Sequence, residues 1–256
     1  MSFMQTAFSK RLKEKQCVFG PFMKAQDPAF VEIAGHAGFE FVIFDMEHGP
    51  VDVLHLQNLI RGAESAGVTP IVRVSALDPT SISRVLDVGA RGVQVPMIES
   101  AKEAELAIQY AKYAPEGMRG VCKYVRASAY SKQEAAEYFQ AANRDTLVIL
   151  QMEGVKALEN IDSILEVKGT DIVFIGPYDL SQSLGVPGQV EHPLVEEKMR
   201  IIVEKAREKG IVIGTFVDNV KQAQKWMDAG VQYISYSVDV GIFYQACRQI
   251  RNQLEA

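Results

Sequence analysis

The feature that most constrains this chain is a regular alternation. Eight short, mainly apolar runs, at residues 17–22, 39–45, 69–74, 92–96, 146–152, 171–175, 211–216 and 232–236, are separated by segments whose apolar residues recur at helical spacing. Those segments fall at 28–36, 51–66, 81–88, 101–114, 132–142, 157–167, 194–209 and 219–229, with a last one at 240–254. Gly67, Gly89, Gly210 and Gly230 follow four of them as C-terminal stops. Strands alternating with helices build a parallel sheet, and near-continuous apolar runs suit strands covered on both faces. Eight such units in 256 residues predict a closed (β/α)8 barrel, which takes about 250 residues, as one domain over 1–256. No GxGxxG follows the first run, which argues against a dinucleotide fold.

Composition narrows the function classes. A net charge of -5 argues against nucleic acid or an anionic membrane as the main partner. No apolar run approaches the roughly 18 residues of a membrane span. Residues 1–16 carry Lys10, Arg11, Lys13 and Lys15 without an apolar core, so they do not read as a secretory signal. Phe3, Ala7, Phe8 and Leu12 instead suit one face of a short helix that caps the bottom of the barrel. Cys17, Cys122 and Cys247 form neither a disulfide framework nor a zinc motif, and read as reduced thiols of a cytoplasmic protein.

Barrel enzymes place their chemistry at the C-terminal ends of the strands. Here those ends are polar. The second run closes on Asp45-Met46-Glu47-His48, the third on Arg73, the fourth on Gln94, the fifth on Gln151-Met152-Glu153, and the sixth leads into Gly176-Pro177-Tyr178-Asp179. Alternation puts Gln151 and Glu153 on one side of their strand. Glu153 and Asp179, two carboxylates from neighbouring strand ends, suit a hard divalent ion such as Mg²⁺ or Mn²⁺, with Co²⁺ also possible. The other reading is a pair of solvated rim charges. His48 has Asp45 three residues before it, an arrangement that fixes an imidazole tautomer for general-base work; a structural histidine is the alternative. Arg73 reads either as a cation for a substrate oxyanion or as the ion-pair partner of Asp45, Glu47 or Asp87. The turn at Pro177 places a proline at the first position of a helical turn, where free N–H groups favour a carboxylate ligand.

Absences are informative as well. A Schiff-base aldolase needs a lysine pointing into the barrel, and none of the eight runs contains one; Lys123, in an irregular loop, is the only candidate, and such a loop is a poor place to desolvate an amine. Phosphate-binding glycines after the last two runs are lacking, which disfavours a phosphosugar.

Taken in order, Phe44-Asp45-Met46-Glu47-His48-Gly49, Arg73, Leu86-Asp87-Val88-Gly89-Ala90, Gly117-Met118-Arg119-Gly120, Gln151-Met152-Glu153 and Gly176-Pro177-Tyr178-Asp179-Leu180-Ser181 resemble the class II pyruvate aldolases, the family of 4-hydroxy-2-oxoheptanedioate and 2-dehydro-3-deoxyglucarate aldolases. The resemblance spans roughly residues 17–240. It implies a metal-dependent aldehyde-lyase that cleaves a 4-hydroxy-2-oxoacid reversibly to pyruvate and an aldehyde. Oxaloacetate-type decarboxylation through the same enolate, or a non-catalytic 2-oxoacid-binding barrel, are the alternatives. The resemblance implies Glu153 and Asp179 as metal ligands and His48 as acid/base oriented by Asp45 and Asp87. It also implies Arg73 as the cation at the enolate, Gln151 as a polar neighbour of pyruvate, and the N–H groups of Tyr178 and Asp179 as receivers of the pyruvate carboxylate. A homo-oligomer, trimer or hexamer, with an exchanged C-terminal helix is implied too, the loop around Gly120 closing a neighbour's site. Two positions depart from the family: Tyr178, where a small residue is common, and Gly154, where threonine is common. Tyr178, Phe216 and the basic, aromatic loop at 121–126 are expected to set the aldehyde, the loop by meeting a polar or acidic acceptor.

Overall fold

Eight parallel strands close in sequence order into one barrel: β1 Val18–Met23, β2 Phe41–Asp45, β3 Thr69–Arg73, β4 Gly92–Val95, β5 Leu147–Met152, β6 Ile172–Ile175, β7 Val212–Val217 and β8 Tyr233–Val238, with β8 pairing back to β1. This is a computed structural model, which describes residues 7–255. The expected (β/α)8 barrel is the fold observed. Helices α1 (Ala7–Lys13), α2 (Pro28–His36), α3 (Val53–Ala66), α4 (Pro79–Asp87), α5 (Ala101–Ala111) and α6 (Ala135–Asp145) cover the first part of the sheet. They are followed by α7 (Val155–Glu159), α8 (Ile161–Leu165), α9 (Pro177–Ser183), α10 (Pro193–Glu208), α11 (Val220–Ala229) and α12 (Asp239–Glu255).

Each strand divides its side chains between two cores. Val42, Phe44, Val72, Val148, Leu150, Val173 and Ile175 face the helices, in one continuous apolar layer. Phe41, Ile43, Ile71, Ile149, Ile172, Phe174 and Tyr233 face the barrel axis. Each large side chain buried there contributes roughly 1.5–3 kcal/mol through removal from water. At the bottom Phe41 stacks on Tyr233, ring centroids 4.1 Å apart, and Phe8 of α1 meets both rings edge-on. The stack needs room: a Cβ on Gly214 would lie 2.5 Å from the Tyr233 ring. The N-terminal helix thus plugs the barrel through Phe8; Phe3, expected on the same face, lies outside the described residues. Among the described residues no helix is long and apolar enough to cross a membrane.

The structure moves several expected boundaries. The helix predicted over 157–167 is two short ones, because Asn160 leaves helical geometry (φ -101°, ψ 9°) and its amide donates to Glu99 O at 2.8 Å. The helix predicted from 132 begins at Ala135, capped by the Glu134 carboxylate, which accepts the N–H groups of Ala136 and Glu137. Part of the loop expected over 180–193 is α9, started by Pro177 at its first turn.

Candidate active site

The inward parity that makes the barrel core apolar at the bottom makes its mouth polar at the top. Phe41 and Ile43 lead to Asp45, Ile71 to Arg73, Gly92 to Gln94, and Ile149 to Gln151 and then Glu153, two residues apart each time. Register aligns Asp45 with Arg73 and Arg73 with Gln94 across three adjacent strands.

Asp45 is fully buried and organises the turn after β2. Its Oδ1 accepts from Arg73 Nε at 3.0 Å and from the backbone N–H groups of Glu47 (3.1 Å) and His48 (3.2 Å). Arg73 Nη2 lies 2.9 Å from the same oxygen, and Lys24 Nζ lies 3.6 Å from Oδ2. Burial would push the Asp45 carboxyl up; the Arg73 guanidinium, the His48 N–H and Lys24 outweigh it and hold it below the usual range. Arg73, 8% exposed, also pairs with Glu47 at 2.9 Å and lies 4.6 Å over the Phe22 ring. The Glu47 carboxyl is pushed up by burial, with Asp45 and Asp179 adding to the effect against Arg73 and His48.

A second chain of contacts ends on Glu153, 2% exposed. Gln94 Nε2 donates to Gln151 Oε1, Gln151 Nε2 donates to Glu153 Oε2 at 2.6 Å, and the Met97 N–H donates to Glu153 Oε1 at 2.9 Å. The carboxylate lies against the start of α9: a Cβ on Gly176 would sit 2.2 Å from Glu153 Oε2, so any side chain there would have to push the carboxylate away. Burial pushes the Glu153 carboxyl up to about 7, with the charges of Asp179 and Glu47 adding to the rise and the two hydrogen bonds opposing it. Among the described residues no three His, Cys, Asp or Glu side chains gather as a metal cluster. Glu153 and Asp179 are two oxygen donors whose mutual repulsion a cation would relieve. A set of that kind fits a hard divalent ion that keeps positions for water or substrate.

These groups open onto one cavity of about 410 Å³. It brings together Asp45, His48, Arg73, Gln151, Tyr178, Asp179 and Phe216, all singled out from the sequence, with Glu153 directly behind Gln151. Asp87 is not there. It ends α4, on the side of the opposite rim, and Arg119 Nη2 holds it at 2.6 Å. Within the chain, Asp45 supports His48 through its backbone N–H, and neither carboxylate contacts the imidazole. Arg126 of the basic loop is bound to Glu64 and to Val88 O, so neither it nor Lys123 lines the cavity. A larger hollow of about 760 Å³ lies beside Arg91, Arg119 and Arg126, away from this mouth.

Sequence reasoning passed over four residues at the mouth. Lys24 stands one residue past β1 and Asp218 one past β7, both lining the cavity. A search for polar residues confined to strands does not see them; their position at strand C-termini is the signal that finds them. Phe22 reads as core and is also the ring under Arg73. Gln94, noted only as a polar strand end, starts the amide chain to Glu153.

A parallel barrel with buried carboxylates, an arginine and a histidine round one mouth defines the class as a barrel enzyme. Residues 19–246 match the family described as HpcH/HpaI aldolase/citrate lyase, and the chain belongs to that family. It is 35% identical over 262 residues to a hydroxypyruvate/pyruvate aldolase of Paraburkholderia phytofirmans, covering 100% of both chains. It is 30% identical over 243 residues to a 5-keto-4-deoxy-D-glucarate aldolase of Escherichia coli, covering 95% of this chain and 94% of the relative. Among solved structures it is similar to an HpcH/HpaI aldolase/citrate lyase family protein of Burkholderia cenocepacia, with TM-score 0.94 and 30% identity over 98% of this chain and 100% of that one.

Proposed function

We propose that this mouth cleaves a 4-hydroxy-2-oxoacid reversibly to pyruvate and an aldehyde, with Glu153 and Asp179 holding Mg²⁺ or Mn²⁺. The observation that carries the reading is the Glu153 carboxylate, buried behind Gln151, braced by Gln151 and the Met97 N–H, and within the field of Asp179, which lines the cavity together with Arg73. The names of the aldolase relatives support pyruvate as the donor. A divalent ion held there supplies a Lewis acid for the oxygens of the 2-oxoacid. The open first-turn N–H groups of Tyr178 and Asp179 in α9 suit the substrate carboxylate. His48, on the exposed side of the turn, takes the C4 hydroxyl proton as the C3–C4 bond breaks. The bond's electron pair moves toward C3 and the ketone oxygen, and the aldehyde departs. Arg73, fixed by Asp45 and Glu47, keeps guanidinium hydrogens for that oxygen. A proton returned to C3 completes pyruvate.

Exchange of pyruvate methyl protons with deuterated solvent tests the donor half alone. We expect exchange that needs added Mg²⁺ or Mn²⁺ and is lost in Glu153→Ala; no exchange with any divalent ion rejects the reading.

The same reading includes a homo-oligomer, trimer or hexamer, with the C-terminal helix exchanged. Of the 17 residues of α12 only Asp239 is buried, while Ile242, Phe243, Tyr244, Ile250 and Leu254 are exposed. Asp87, held away from its own chain's mouth, reaches a His48 only in another copy. Mixing inactive His48→Ala and Asp87→Ala proteins under conditions of subunit exchange then restores activity; mixed oligomers without recovery reject a shared site.

A further inference from the structure

Under the function proposed above, on which this inference rests, the arc of the mouth from Asp45 to Asp179 is committed to the 2-oxoacid. The opposite wall runs from β7 through β8 to β1. It presents Phe216, Val238 and Phe22 to the cavity and a single acid, Asp218, at the lip. The Tyr178 hydroxyl donates to both Asp218 oxygens, at 3.0 Å each, and the Tyr178 ring packs edge-on against Phe216, centroids 5.9 Å apart. Among the described residues no lysine, arginine or histidine lies within ion-pair distance of Asp218, and the one charge felt from beyond the cavity is another acid, Glu191. A carboxylate has about four lone-pair directions. One phenol hydrogen leaves most of them open to whatever occupies the cavity.

We propose that Asp218 and Tyr178 form the acceptor subsite, and that it takes a short, uncharged hydroxyaldehyde whose hydroxyl donates to Asp218 while its carbon chain lies on Phe216. An acidic aldehyde brings its carboxylate against Asp218 within the field of Glu191. The cation it needs on that side, Lys24, already faces Asp45 at 3.6 Å. A plain alkanal packs on the ring and leaves Asp218 without a second donor, and a site built to bind a hydroxyl discriminates against the analogue lacking it.

The test couples pyruvate, with Mg²⁺ present, to glyceraldehyde, to propionaldehyde (three carbons, no hydroxyl) and to succinic semialdehyde, and reads kcat/KM. We expect the glyceraldehyde-to-propionaldehyde ratio to drop about tenfold or more on going from wild type to Asp218→Ala. Comparing ratios cancels the aldehydes' intrinsic reactivity and any loss of folded protein. Tyr178→Phe, which keeps the ring on Phe216, lowers the ratio part of the way. An unchanged ratio in Asp218→Ala, or succinic semialdehyde as the best acceptor, overturns the proposal. Pyruvate proton exchange by the wild type separates the two levels: exchange with an unchanged ratio sinks the acceptor assignment alone, whereas no exchange sinks the aldolase reading and this subsite with it.

Discussion

The two halves of the barrel mouth are built differently. From β2 to β5 the inward side chains nearest the top are Asp45, Arg73, Gln94, Gln151 and Glu153, all buried and all tied to one another or to backbone N–H groups. From β7 through β8 to β1 the cavity wall is Phe216, Val238 and Phe22, with polar contacts only at the lip. In the first half every charge has a partner that fixes its position, as developing charge on a reacting carbonyl requires. In the second half shape and one hydrogen-bonded acid decide what fits. Under the proposed function this keeps the residues that break bonds apart from those that choose the partner aldehyde, so each half should be breakable without the other.

The largest effect is expected in the charged half. Arg73→Ala removes the cation assigned above to the enolate oxygen, and turnover should fall by about 10²–10³-fold with the barrel still folded by circular dichroism. The same loss exposes Asp45, buried and without its main partner, so some stability goes with it. Turnover near the wild-type value would dissolve the division between the halves.

Glu153 gives the next effect, read as stability rather than rate. An unfolded glutamate titrates near 4.3, whereas Glu153 in the fold is pushed up to about 7 by burial and by the neighbouring acids. Between those values the folded chain holds the extra proton. Its contribution is therefore intact below the lower value and lost as pH rises through the upper one. In the presence of a chelator the wild type should lose roughly 2–3 kcal/mol more than Glu153→Gln between pH 4.5 and pH 8 by urea unfolding. Added Mg²⁺, which competes with that proton, should flatten the difference. Parallel curves for the two proteins would remove the buried, repelled carboxylate from the argument.

Much of this was legible in the sequence because it follows from two periodicities. The alternation of apolar runs and helical segments gave the barrel, and the two-residue parity of a strand carried Asp45, Arg73, Gln151 and Glu153 to one side. That parity runs one residue past the strands: Glu153 follows β5, and Lys24 and Asp218, two residues after Phe22 and Phe216, line the cavity with them. The apolar runs end at 22 and 216, so a reading that stops with the run misses both. Asp87 stands away from its own chain's mouth because it sits at the end of α4, and a helix returns the chain to the opposite rim. The loop at 121–126 has the composition of a binding segment, yet the Arg126 guanidinium finds Glu64 and Val88 O inside the chain, a pairing between distant residues that no local pattern announces.

In the apolar half the main support is a backbone clamp rather than a charge network. Asp239, largely buried, accepts the N–H groups of Lys24, Ala25 and Val240, at 3.0, 2.8 and 2.7 Å, and ties the start of α12 to the end of β1. Asp239→Ala leaves three N–H groups without their acceptor and should cost about 1–3 kcal/mol, measured by denaturant unfolding. Pyruvate proton exchange per folded molecule should persist, because the clamp touches none of the charged arc. Loss of exchange at full stability would show that the wall holds the chemistry in place and is not a separate half.

The smallest effect is expected where the halves touch. Phe22 belongs to the apolar wall by its packing, 6.2 Å from Phe174 and 6.0 Å from Phe216 between centroids, yet its face carries the Arg73 guanidinium at 4.6 Å. A cation over a ring at a partly desolvated site is worth about 0.5–2 kcal/mol. Phe22→Leu keeps an apolar side chain there but deletes the ring face under Arg73, along with some packing against Phe174 and Phe216. Arg73 still has Asp45 and Glu47 to hold it, so kcat should fall by only about three- to tenfold, while the preference among aldehydes changes little, since Tyr178 and Asp218 are untouched. A shift in aldehyde preference without a change in kcat would place Phe22 with the wall. A loss as large as that of Arg73→Ala would mean that the ring, rather than the two carboxylates, aims the guanidinium.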